Sequence, residues 1–480
     1  MIIPLGTIFS LHEPRQLQLP AGSKRLTGCD ACRAPARFAR PLAPDRDARP
    51  IPRDSDLSGA SWCRGRLTPI MSSMTTTPVL HDADAALHGR GFWLLAAAFP
   101  ILMAYSTVPT PIYPLYQRHD HFPTVMITAI FAAYGLGVMA SLYLAGHLSD
   151  QFGRRRMIAI ATAVSLVSAA IFIGSPSVPA LLVARLLCGV GIGVLTPAAT
   201  AMLGELRRVH RPHEPSSFAS TVASSVNTGG LALGPLVGGV LVQWAPAPLR
   251  TPYVVFFVLL AVVGLALTLV PETNPATPAN ERPRYRPQRA VVRPGHEARF
   301  RSAQVVAGAA FAALGILTSM TGTFLAQVAH RSSPLVCGVV VFLAMGASAL
   351  AQVALPIPNP RTKIACGVLF TVAGLGCVAA SAFTHPFVLY AGGAVMAGAG
   401  IGLLFQSAVA VGSAVSEAGH TGGSVAGVFL AAYIGITIPV VLAGLLTTRL
   451  SISASLALFC ALASLVVLVA SIPMMRGAAD

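Results

Sequence analysis

The chain has 480 residues, of which 54% are hydrophobic and only 10% charged, with a mean hydropathy of +0.69. No soluble core absorbs that much apolar surface, so the composition excludes an ordinary globular enzyme or binding domain and requires a membrane protein. The formal net charge of +16 then reads as membrane topology and attraction to anionic lipid, not as a nucleic-acid footprint.

Residues 1–70 are rich in Arg, Pro and Asp and hold no apolar run long enough for a span or a signal peptide. Residues 1–90 are therefore expected to form a disordered extension, and "MSSMTTT" reads as a natural beginning, with Met71 or Met74 the expected first residue. Cys29 and Cys32 make one CxxC with no second pair beside it, which is too little for a metal site; no metal or other cofactor is expected. Runs of about 20 apolar residues then place six spans at 91–116, 124–146, 157–175, 178–203, 218–245 and 251–271. Six more follow at 302–325, 334–355, 363–383, 386–411, 423–446 and 452–474.

Basic residues set the orientation, because Lys and Arg collect in cytoplasmic loops. Arg154 to Arg156, then Arg207, Arg208 and Arg211, then the arginines between Arg282 and Arg301, then Arg361, Lys363 and Arg476 all fall on one side. The opposite loops hold Arg118, Arg250, Arg331 and Arg449 singly. Both termini are thus expected in the cytoplasm. The polar, proline-rich stretch 272–301 is a basic cytoplasmic linker between two bundles, 91–271 and 302–474, and 475–480 is a cytoplasmic tail. The halves echo one another: "GVGIGVLTPAATA" from Gly189 matches "GAGIGLLFQSAVA" from Gly398. Two parallel six-helix repeats are the architecture of one large transporter class, in which the substrate site lies between the halves near the bilayer midplane.

Three strings carry the specific signal. "GHLSDQFGRRRM" joins spans 2 and 3; Gly146 and Gly153 permit its tight path, Asp150 can pair with Arg154, and Arg154 and Arg155 anchor its end. In span 4, Arg185 precedes Gly189, Gly191 and Gly193; a charge there costs about 2.5–3.5 kcal/mol on insertion scales, so it should face the bundle interior. In span 5, "GLALGPLVGG" spends Gly230, Gly234, Pro235, Gly238 and Gly239 on ten positions. Glycine at every fourth position makes a smooth face for a close neighbour, and the proline bends the helix.

These strings resemble the loop, span 4 and span 5 signatures of the major facilitator superfamily, the last carried by its drug/proton antiporter branches. The chain is most similar to the bacterial 12-span members over residues 91–474. The resemblance implies an all-α membrane protein of twelve helices in two pseudo-symmetric six-helix bundles. It implies a secondary transporter exporting a small organic compound or drug by alternating access and proton antiport, with an uptake permease for a sugar, organic acid or other metabolite as the alternative. It further implies a monomer in the bacterial inner membrane, and a cavity lined by helices 1, 4, 7 and 10, nominating Tyr105, Thr107, Tyr113, Arg185, Thr318, Ser319 and Gln406. No ATP-binding P-loop or zinc-hydrolase string is present, so the chain is not expected to be an enzyme. One departure stands out: no Asp or Glu lies within a predicted span, since Asp150, Glu205 and Glu417 sit at helix ends. Proton-coupled pumps commonly keep an embedded acid, so the coupling ion stays open.

Overall fold

A computed structural model describes residues 77–145, 148–274, 290–331, 333–355, 357–384, 386–417 and 421–476. Cys29, Cys32, Met71, Met74, Gly146 and the linker segment 275–289 lie outside the described residues. The first half comprises α1 (Thr77–Thr107), a 3-10 turn (Thr110–Ile112), α2 (Tyr113–Asp120), α3 (Thr124–Ala145), α4 (Leu148–Phe152), α5 (Arg154–Gly174), α6 (Val178–His210), α7 (Ser216–Trp244) and α8 (Thr251–Leu267). The second half comprises α9 (Glu297–Gln327), α10 (Pro334–Ala354), α11 (Pro360–Thr384), α12 (Phe387–Ala414), α13 (Thr421–Leu446) and α14 (Ile452–Arg476).

These account for the twelve predicted spans, with α2 continuing the first and α4 forming the turn between the second and third. Among the described residues, eleven helices are long and apolar enough to cross a membrane. The remaining span, α8, has 17 residues, about 26 Å at 1.5 Å per residue, just under the hydrocarbon thickness.

Several helices outrun the sequence expectation. Helix α1 begins at Thr77, so residues 77–90 are helical rather than irregular. Its early turns are held by His210 at the end of α6, whose ring donates to the Ala85 carbonyl (2.8 Å). The linker's ends are also structured. Residues 290–296 run beside 415–417, with Arg293 N–H donating to Val415 O (3.0 Å) and Glu417 N–H to Val291 O (3.2 Å), and α9 starts at Glu297 instead of residue 302.

The internal repeat is carried by glycine contacts. In α6, a Cβ on Gly189 would overlap the Tyr134 carbonyl of α3, one on Gly193 would meet Val138 O of α3 at 2.8 Å, and one on Gly191 would meet Ser165 Oγ of α5 at 2.6 Å. In α12, Gly398 and Gly402 abut the Ala344 and Ser348 carbonyls of α10, while Gly400 abuts Thr371 of α11. The same Gly-x-Gly-x-Gly spacing thus packs equivalent helices in each half, because only a missing side chain lets helix backbones approach this closely.

The two halves meet along two seams at one end of the bundle. On one, Gly239 near the end of α7 faces Pro334 O (2.8 Å from a built Cβ) and Gly338 Cα (3.3 Å) at the start of α10. On the other, Gly135 of α3 receives Thr437 of α13, and Gly444 of α13 receives Thr128 of α3. At the opposite, arginine-rich end, α7 and α10 are joined by a side-chain bond, Ser224 Oγ donating to Gln352 Oε1 (3.3 Å), and Ser224 is exposed.

Candidate functional site

A cavity of about 90 Å³ lies between the halves. That volume holds several waters. From the first half it receives Ser106 and Thr107 at the end of α1, Thr110 of the 3-10 turn, Phe131 and Tyr134 of α3, and Arg185 of α6. Helix α7 adds Asn227, Thr228 and Leu231. The second half contributes Phe311, Leu314 and Thr318 of α9 and Met345, Ser348 and Gln352 of α10, then Ile401 and Phe405 of α12 and Phe429, Tyr433 and Ile436 of α13. Helices α5, α8, α11 and α14 supply none of these residues.

Arg185 is positioned by its own helix. It lies four and eight residues before Gly189 and Gly193, on the face of α6 that abuts α3, so its side chain enters the gap between α1 and α3. Its Nη1 donates to the Ser106 carbonyl (2.6 Å). The guanidinium carbon lies 4.6 Å from the centre of the Tyr134 ring and 6.0 Å from that of Phe131. Only 2% of the residue is exposed, and Nε has no hydrogen-bond partner among the described residues. Ring contacts worth about 0.5–2 kcal/mol and a charge-assisted bond worth about 1.5–3 kcal/mol offset the insertion penalty while leaving a donor unused. In the second half Ala394 holds the matching position, buried at 1% exposure.

The second half lines the cavity with a cluster of aromatic rings. Phe311 and Phe405 have ring centres 4.7 Å apart, Phe405 meets Phe429 edge-on at 5.2 Å, and Phe311 meets Tyr433 at 5.9 Å. The first half thus brings the one cation, set among hydroxyls and two rings, and the second half brings four aromatic rings.

At the arginine-rich end, the turn between α3 and α5 is held by two carboxylates distant in sequence. Glu272, just past α8, accepts from the backbone N–H groups of Arg154 (3.0 Å) and Arg155 (3.1 Å) at the first turn of α5. It caps that helix and complements its dipole. Glu205 of α6 accepts from Arg154 Nη2 (3.2 Å) and from Thr273 Oγ1 (2.5 Å). Arg154 Nη1 also donates to Ser149 Oγ (2.6 Å), and Arg155 Nη1 to Val270 O (3.2 Å). Gly153 takes φ +95°, a conformation side chains disfavour, and a Cβ there would lie 2.9 Å from Glu272 Oε2. The side chain of Asp150 lies outside the described residues.

A sequence profile of the Major Facilitator Superfamily matches residues 92–372. The chain belongs to the Major Facilitator Superfamily. It is thus a multi-pass membrane protein of a transporter family, not an enzyme. It is 33% identical over 168 residues to the tetracenomycin C resistance and export protein of Streptomyces glaucescens, covering 34% of this chain and 30% of that one. It is also 33% identical over 152 residues to the multidrug efflux pump LfrA of Mycolicibacterium smegmatis, covering 31% and 29%. These matches span about a third of the curated relatives' length. Among solved structures, a point mutant of the nucleoside transporter NupG shares the fold with a TM-score of 0.62 at 12% identity, over 81% of this chain and 99% of that one.

The transporter's cavity differs in part from the one expected of helices 1, 4, 7 and 10. Thr107, Arg185 and Thr318 line it. Thr107 Oγ1 donates to Leu231 O of α7 (2.8 Å) and Thr318 Oγ1 to Gly315 O (3.1 Å). Tyr105 does not line it: fully buried among α1, α5 and α8, it donates to Ser168 Oγ (2.7 Å), whose own hydroxyl donates to Ala184 O. Tyr113 and Ser319 are buried away from the lining, with no partner for either hydroxyl among the described residues. Gln406 turns aside to donate to Gln352 O (3.3 Å). The sequence reading missed α3, α7, α10 and α13, whose signals were an isolated Asn227 and Gln352 in apolar spans and the spacing of Phe429 and Tyr433.

The span 5 signature works on two faces. A Cβ on Gly230 would meet Pro100 O of α1 at 2.7 Å, one on Gly234 would overlap Ala104 O, and one on Gly238 would meet Val108 O at 2.7 Å. That face seats α7 on α1 within its half. Pro235 and Gly239 face Gly338 of α10 across the halves.

Proposed function

We propose that this transporter exports small organic compounds by alternating access, with its arginine-rich end in the cytoplasm. The observation that carries the reading is the asymmetry of the interface. A backbone-to-backbone contact at Gly239–Gly338, threonine side chains seated on Gly135 and Gly444, and the Ser333–Gln243 bond close one end, whereas among the described residues the other is bridged by the Ser224–Gln352 side-chain bond alone. Under the positive-inside rule, the firmly closed end is external, and the cavity is reached from the cytoplasm through the hydroxyl and amide groups of Ser224, Asn227 and Gln352. That is the loading state of an exporter. A seam built on glycines and small hydroxyl side chains can part and re-form, as a rocking motion requires. The names of the tetracenomycin C and multidrug exporters to which the chain is similar support the outward direction.

The test uses everted and right-side-out membrane vesicles, with tetracenomycin C among the solutes. Everted vesicles should accumulate the solute in excess of protein-free membranes. Accumulation in right-side-out vesicles instead would identify an uptake permease.

A further inference from the structure

Among the described residues, the cavity holds one fixed charge and no counter-charge. Arg185 is its cation, and neither Asp nor Glu is among the residues lining it. All seventeen acids of the sequence lie outside the predicted spans. Arg185 keeps an unused Nε donor and lies almost wholly out of water. A cationic ligand brought beside it would be repelled in a medium that screens poorly. A neutral ligand could accept from the donor but would leave the charge uncompensated, whereas a carboxylate or sulfonate neutralises it and accepts from the guanidinium through two oxygens. The wall formed by Phe311, Phe405, Phe429 and Tyr433 selects for a flat ring system, by stacking or edge contact.

We infer that the substrate is an aromatic organic anion whose acidic group pairs with Arg185 of the first half while its rings lie on the aromatic wall of the second. This rests on the exporter reading above. Such a ligand bridges the two halves, so its binding energy is available to couple their movement. Each exported monoanion carries one negative charge outward. An inside-negative membrane potential therefore drives the step directly, and no embedded proton carrier is required, in keeping with the lack of acids within the predicted spans.

The experiment uses the full-length protein and two probes that share a naphthyl ring and carry head groups of opposite charge, 2-naphthalenesulfonate and trimethyl(2-naphthyl)ammonium. In detergent, the sulfonate should bind at least about tenfold tighter than the ammonium, a difference of about 1.4 kcal/mol. Arg185→Gln should abolish that preference and Arg185→Lys should keep part of it, since the charge survives but the planar fork does not. Equal binding of both probes by the wild type, a result needing no variant, would overturn the inference, as would unchanged sulfonate affinity in a folded Arg185→Gln protein. In liposomes with valinomycin, a tenfold potassium gradient making the interior positive should concentrate the sulfonate about tenfold, and a pH gradient at zero potential should not. Flux that follows the pH gradient alone would refute the potential-driven step. Selective sulfonate binding with no flux under any gradient would sink the exporter reading while upholding the ligand class. Flux of the ammonium without sulfonate binding would do the reverse.

Discussion

Adding a single methyl group at Gly338 should separate the role of the inter-half seam from that of ordinary packing. A Cβ on Gly338 would overlap the Pro235 carbonyl oxygen and lie 3.1 Å from the Pro235 carbonyl carbon and 3.3 Å from Gly239 Cα. All three obstacles are backbone, so no rotamer change relieves them and the helices must part. Overpacking of this kind costs about 1–3 kcal/mol, and here only in the state where this end is closed. Gly338→Ala should therefore shift the population about 5- to 150-fold toward the state open at this end. Gly234→Ala is the control: its Cβ would overlap Thr107 Oγ1 and Ala104 O of α1, which share its half, so both states are destabilised alike and folded yield falls without a shift. Cys337 is the reporter. It is 3% exposed, and its Sγ lies 3.4 Å from a Cβ built on Gly322, beside Pro114 of the other half. Labelling with a membrane-impermeant maleimide, read by peptide mass spectrometry against fully buried Cys188, should rise severalfold in Gly338→Ala and not in Gly234→Ala. Wild-type labelling and wild-type transport by Gly338→Ala would refute the claim that this seam opens and closes.

Three further outcomes are expected. Tyr105→Phe removes the bond to Ser168 and should lower stability by about 0.5–1.5 kcal/mol, with transport at equal expression retained, because the residue does not line the cavity; lost transport in a folded variant would return Tyr105 to the substrate path. Glu272→Ala uncaps α5 and should cost about 0.5–2 kcal/mol, seen as a lower melting temperature in detergent, while Glu272→Gln, which keeps an acceptor, should cost less. Glu214, in the loop after α6, accepts from Arg207 Nε (2.5 Å) and Nη2 (2.9 Å), and those bonds hold its carboxyl below its ordinary range. Its stabilising contribution is therefore complete above the ordinary carboxylate pKa and disappears as the pH falls through the lowered value. Melting curves of wild type and Glu214→Gln should differ at neutral pH and converge in acid.

Features of the transporter that depend on local sequence were legible before any coordinates. Apolar run length is fixed by bilayer thickness, so the spans could be counted. Glycine spacing is fixed by helix periodicity, so the close packing of Gly230, Gly234 and Gly238 could be anticipated, as could the repeat of Gly189–Gly193 at Gly398–Gly402. An arginine in an apolar run must face inward, and Arg185 does. What tertiary structure alone decided is rotation and distance. Tyr105 and Thr107 stand two residues apart, about 200° around a helix, and only the placement of α1 against α5 and α7 sends the first to Ser168 and the second to the cavity. Glu272 lies 118 residues from the Arg154 amide it caps, with whole helices between them, and no local pattern joins such a pair. The aromatic wall is likewise drawn from three helices whose individual sequences look merely apolar. It becomes a surface because the packing of the second half turns Phe311, Phe405, Phe429 and Tyr433 toward one another and into the cavity that Arg185 also lines.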